Sequence, residues 1–93
     1  MIGKYAVIRT YSAGVHVGVV RSQSGKEVTL SEARRIWSWR GAFTLSEISQ
    51  KGVSPESRLS MQVPEIALTE AIEIIPCTKA AEANLRALKS YEP

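Results

Sequence analysis

The sequence contains no aspartate, one histidine (His16), one cysteine (Cys77) and one phenylalanine (Phe43) in 93 residues. Each scarcity excludes something. A zinc centre needs three or four Cys, His or carboxylate ligands, commonly in close pairs, and no such grouping exists here. A Ser-His-Asp arrangement lacks its aspartate, and magnesium-dependent phosphoryl transfer lacks the carboxylate it normally employs. One cysteine forms no intramolecular disulfide and gives no reason to expect an oxidising compartment. The longest uncharged stretch, Thr10 to Val20, is interrupted by polar residues and two glycines. It falls short of the about 20 apolar residues a membrane span requires. The start carries Lys4 and a short mixed run where a secretory leader would place a solid apolar block. These absences lead to the expectation of a cytoplasmic, non-enzymatic chain with no cofactor and no metal.

What is present is enough for one domain. Apolar residues make up 44% and charged residues 23%, which is globular composition, and a chain of this length supports a single core. The expected unit is therefore one domain over residues 1–93. Charge is unevenly placed. Residues 1–40 hold seven basic groups (Lys4, Arg9, Arg21, Lys26, Arg34, Arg35, Arg40) against Glu27 and Glu32, a balance of +5; residues 41–93 hold five basic against seven acidic groups, a balance of −2. Five of the early seven are arginine, the side chain suited to forked recognition of phosphate and to stacking on rings. Either this is a solvated basic face or it is an anion site of phosphate or nucleotide type.

Periodicity places the elements. Lys4 to Thr10 reads as a strand, Ser12-Ala13-Gly14 as a turn, and Val15, Val17 and Val19 alternate with His16 on a second strand. Gln23-Ser24-Gly25 turns into a third strand from Lys26 to Leu30, and the aromatic and β-branched residues of Arg34 to Trp39 favour a fourth over a helix. Thr44-Leu45-Ser46-Glu47 is a capping box that opens a helix from Leu45 to Lys51, ended by Gly52. Val53 to Arg58 reads as a loop; Leu59 to Val63 and Ile66 to Ile75 read as strands. Thr78 caps a terminal helix through Leu88, with Ala81, Leu85 and Leu88 on one face; Tyr91-Glu92-Pro93 then frays or docks on a neighbour. The expected fold is α+β: a small curved antiparallel sheet of five or six strands with a short central helix and a C-terminal helix. A local repeat aligns Leu30-Ser31-Glu32-Ala33 with Leu68-Thr69-Glu70-Ala71, each followed by an Ile three residues later, and implies two similar corners.

Two constellations carry chemistry. Arg34, Arg35, Trp37 and Trp39 fall within six residues, so that on a strand Arg35, Trp37 and Trp39 share a face. An exposed Trp stacking on a base contributes about 1–3 kcal/mol, and an adjacent Arg holds phosphate. The competing reading makes both indoles core filler and lets the arginines snorkel. The second constellation, Arg9-Thr10-Tyr11-Ser12-Ala13-Gly14-Val15-His16, gathers a cation, hydroxyls, a turn glycine and an imidazole at one hairpin. Backbone N–H groups at such a turn bind anions, although an ordinary polar hairpin accounts for it equally well. No orienting carboxylate marks Ser12 and His16 as nucleophile and base. Cys77, beside Pro76, reads as a small buried hydrophobe.

Ile8-Arg9-Thr10-Tyr11-Ser12-Ala13-Gly14-Val15-His16, Ala33-Arg34-Arg35-Ile36-Trp37 and Glu70-Ala71-Ile72-Glu73-Ile74-Ile75-Pro76-Cys77-Thr78 together resemble a family of small tailed-phage proteins of unknown function. The likeness runs from about Tyr5 to Thr78. Phage proteins of this size include sponges that sequester nucleotide immune signals, and the resemblance with the Arg/aromatic content leads to that expectation here. Arg9, Arg34 and Arg35 would bind phosphates; Trp37, Trp39 or Tyr11 would stack on the base; His16 and Ser12 would bond ribose or phosphate. A nucleotide cavity takes about 300–1,000 Å³, more than so small a domain hollows out alone, so the site is expected between subunits of a homo-oligomer. The other expectation is a protein–protein inhibitor acting through an exposed Trp/Arg surface on a host factor. Nucleic-acid binding is a third option and not the expected one, since a net charge of +3 is weak evidence for it.

Overall fold

The computed structural model describes residues 1–92. Its chain order is β1 (Tyr5–Thr10), β2 (Val15–Ser24), β3 (Glu27–Ser38), α1 (Leu45–Lys51), β4 (Arg58–Leu59), β5 (Val63–Leu68), β6 (Ala71–Pro76) and α2 (Lys79–Ala87). The fold is α+β, an open antiparallel sheet with two helices. β3 pairs with β2 along one side and with β5 and β4, end to end, along the other; β2 continues to β1, and β1 to β6.

This order forces the sheet to curl. β5 and β6 lie on opposite sides of the β3-β2-β1 layer, yet only Thr69 and Glu70 separate them. Leu68 to Ala71 spans at most about 10 Å of extended chain. Across a flat sheet four strand spacings would have to be covered, about 19 Å. The layer therefore rolls until its ends meet, and the Ala71 N–H donates to the Lys26 carbonyl at 2.9 Å.

Two cores result. Inside the curl sit Ala6, Ile8, Val20, Val28, Leu30, Ala33 and Leu68; on the outer face α1 and α2 cover Tyr5, Val7, Val17, Val19, Ile36 and Leu59 with Ile48 and Leu85. Strand alternation produces the division: Tyr5 and Val7 face the helices, Ala6 and Ile8 the interior. β2 alternates as its sequence predicts, with Val15, Val17 and Val19 toward the helices and His16 fully buried on the opposite face.

β3 departs from expectation. The segments Lys26–Leu30 and Arg34–Trp39, expected as two strands, form one strand with a bulge at Glu32, whose φ is +52°. The pairing jumps from Val19↔Ser31 to Val17↔Arg34, so alternation resets: Leu30 and Ala33 both face the interior, and Arg34 and Ile36 face the helices. Gly18 lies opposite this bulge, where a Cβ would stand 2.9 Å from the Ser31 carbonyl oxygen. In the second copy of the repeat the corresponding corner is sharper, and Ile66–Ile75 breaks into β5 and β6.

The helices start where their caps predict. The Thr44 hydroxyl accepts from the Glu47 N–H at 3.3 Å, and the Glu47 carboxylate reaches back to the Phe43 N–H, one residue beyond the expected partner. Thr78 accepts from the Ala81 N–H. Asn84 on α2 then ties the helices together, its amide exchanging two hydrogen bonds with the Val53 backbone at 2.8 and 2.9 Å.

Candidate functional site

β3 delivers Arg35 and Trp37 to one face because Ile36, between them, is claimed by the helix-side core. Beside them runs β4, pairing Ile36 with Leu59 and Ser38 with Arg58. The chain end completes the arrangement: Ser90 bridges to Leu59, and the Tyr91 N–H donates to the Leu59 carbonyl at 2.9 Å. The Arg58 guanidinium consequently lies over two rings, 5.3 Å from the Trp37 centroid and 4.6 Å from that of Tyr91, which are themselves 5.6 Å apart. Arg35, Trp37, Arg58, Leu59, Ser60 and Tyr91 line a groove of about 260 Å³. Trp37 is 63% exposed, so its indole is a surface and not a core element.

The electrostatics of the groove are one-sided. Neither Arg35 nor Arg58 has a carboxylate within salt-bridge distance among the described residues, whereas Arg9, Arg21 and Arg86 are each paired with a glutamate. Among the described residues no acidic side chain lines the groove. Two unneutralised guanidinium groups beside two rings suit an anionic ligand that carries a flat ring.

A second cavity, also about 260 Å³, lies on the other side of Arg35 and Ser60 and is walled by His16, Ala33, Arg34, Met61, Val63 and Ile66. His16 is fully buried; its Nε2–H donates to the Ala13 carbonyl at 2.9 Å, and Nδ1 has no partner. Burial, with a smaller contribution from the Arg35 charge, holds the imidazole pKa below its ordinary value, against the pull of the Ala13 bond.

The remaining expected residues fall elsewhere. Arg34 was expected to hold phosphate, but it points to the helices and is buried: Nε donates to the Ser60 carbonyl at 2.9 Å and Nη1 to the Leu85 carbonyl at 2.6 Å. It serves the last turn of α2, where a cation meets the negative end of the helix dipole. Trp39 packs half-buried against the helix-side core and does not line the groove. Arg9, Tyr11 and Ser12 form a separate group: Arg9 lies 3.6 Å from Glu73, and the Ser12 hydroxyl donates to Glu70 at 2.6 Å. Tyr11 lines a cavity of about 620 Å³ with Lys26, Glu70, Ala71 and Ile72. One cation and one carboxylate cancel there, and the lining favours no anion.

Arg58 and Tyr91 escaped the sequence reading. Arg58 closes a polar stretch that reads as a loop, and Tyr91 belongs to a tail with no periodicity. The only signal was an aromatic residue in a polar terminus. Cys77, expected to be buried, is only half-buried against the helix-side core, with burial and the neighbouring Glu82 pushing the thiol up to about 11.

A family model for a domain of unknown function (DUF6948) matches residues 3–85. The chain belongs to this family. No curated protein and no solved structure matches it. The match takes in His16, Arg35, Trp37 and Arg58 and stops before Tyr91, so the second ring of the groove comes from outside the matched segment. Among the described residues no helix is long and apolar enough to cross a membrane, and no three His, Cys or Glu side chains gather as metal ligands.

Proposed function

We propose that this member of the family is a non-catalytic binder of a nucleotide-derived signal, and that the signal is sequestered in the groove between β3, β4 and the chain end. The convergence of Arg35, Trp37, Arg58 and Tyr91 carries this reading. The two arginines take the phosphates, and the rings, Trp37 foremost, stack on a base. The groove is open and smaller than the about 300 Å³ from which ligand cavities start, so a second subunit covers the bound nucleotide. The resemblance to small phage proteins gives the reading its setting: removal of a nucleotide immune signal, of cyclic ADP-ribose or cyclic dinucleotide type, in the cytoplasm of an infected cell.

Calorimetry against a panel of cyclic dinucleotides, cyclic ADP-ribose and ADP-ribose tests it. Micromolar or tighter binding by one member is expected. Replacing Trp37 by Ala should weaken it about fivefold or more, since a base–aromatic stack contributes about 1–3 kcal/mol. Silence across the panel would overturn the reading.

A second reading rests on the exposure of the same residues. Trp, Tyr and Arg are the usual anchors of protein interfaces, and Trp37 and Tyr91 are both exposed. A stoichiometric protein partner captured by the wild type and lost on Trp37→Ala would favour an inhibitor of a host factor.

A further inference from the structure

The groove and the His16 cavity meet at Arg35 and Ser60, which line both. They have the same volume, about 260 Å³, and each is below the size of a complete nucleotide site. Their walls differ in kind. The groove offers two rings and two cations. The cavity offers Ala33, Val63, Ile66 and the exposed Met61 side chain, with the buried His16 and Arg34 behind them. No acidic side chain lines either one, and the cation they share is free of any carboxylate partner among the described residues.

We infer that the two recesses hold the two bases of one dinucleotide, with its phosphates at Arg35 between them. One base stacks in the groove on Trp37. The other enters the mainly apolar cavity and packs against Ala33, Val63, Ile66 and Met61. This rests on the nucleotide reading and narrows it to a ligand class: two bases linked through phosphate, in preference to cyclic ADP-ribose or a mononucleotide, each of which carries one nucleobase and fills one recess. Ser60 contributes little to the choice. Its hydroxyl already accepts from the Arg35 N–H and donates to the Met61 carbonyl, at 2.8 and 3.1 Å.

The test titrates full-length protein with cyclic di-AMP, cyclic di-GMP, cyclic AMP, cyclic GMP and cyclic ADP-ribose, following affinity by calorimetry and contacts by NMR. His16 is the only histidine, so its imidazole signals need no assignment by mutation. At least one cyclic dinucleotide should bind about 100-fold more tightly than its mononucleotide, because the second base binds as a tethered group. It should shift both the Trp37 indole N–H and the His16 imidazole nitrogens, whereas the mononucleotide shifts the first alone. Val63→Phe, which fills the cavity, should abolish the advantage and leave mononucleotide affinity in place. If that variant does not fold, the wild-type shifts decide. A dinucleotide that leaves His16 unmoved, or cyclic ADP-ribose binding as tightly as any dinucleotide, overturns this inference and leaves the nucleotide reading standing. No binding by any probe overturns both.

Discussion

Arg34 and Arg35 are consecutive and opposite in role. On a strand, neighbours face opposite ways, so one guanidinium is sent under α2 and the other to the groove beside β4. Among the described residues Arg34 has no carboxylate partner; the carbonyls of Ser60 and Leu85 satisfy two of its donors, and burial lowers its pKa. Arg34→Ala removes charged hydrogen bonds and strands two carbonyls, so a loss of about 2–3 kcal/mol is expected from urea denaturation. Arg35→Ala, at an exposed position, should stay within about 0.5 kcal/mol of wild type while weakening nucleotide binding. Equal effects of the two variants on stability would contradict this division of labour.

The elements are held in register by a few points of close approach. The end of α1 is the tightest. Gly52 has φ +81° and ψ −155°, a region closed to side-chain-bearing residues, and a Cβ there would collide with the Asn84 amide that binds Val53. Gly52→Ala should therefore do more than weaken a cap; it should separate α1 from α2. A cost of about 2–3 kcal/mol would lower Tm by roughly 8–24 °C in a domain of this size, and a Tm within about 2 °C of wild type would show that the contact yields freely. The bulge at Glu32 is tied in a different way. The Glu32 carboxylate meets Arg86 of α2 at 2.8 Å and Arg21 of β2 at 3.9 Å, so the strand's irregular point is also its link to the terminal helix.

At the scale of the molecule, the curl of the sheet puts the early basic half and the late segments side by side. β3 supplies Arg35 and Trp37, and β4 and the chain end bring Arg58 and Tyr91 to them. One protomer leaves this groove open to solvent. Sedimentation should accordingly show a dimer or a larger closed assembly, and a nucleotide that binds should tighten it. A protein that sediments as a monomer with and without bound nucleotide would rule out a site shared between subunits.

Local rules in the sequence determined the elements. The period-two valines of β2 and the threonine caps at 44 and 78 each act within a few residues, and the structure uses them as written; Gly52 ends α1 as expected, but at ψ −155° and so outside the left-handed helical conformation expected of it. The bulge at Glu32 was not legible, because no local preference marks it; it exists to reconcile the alternation of β3 with two different cores. The site was half legible. Arg35 and Trp37 stood out by spacing, and so did Arg34 and Trp39, because spacing marks which residues share a strand but not which of its faces is covered. Only the packing of α1 and α2 decided that Arg34 and Trp39 turn inward, and only tertiary closure carried Arg58 and Tyr91 to Trp37. Periodicity is a property of neighbours in the chain, whereas a groove is a property of neighbours in space.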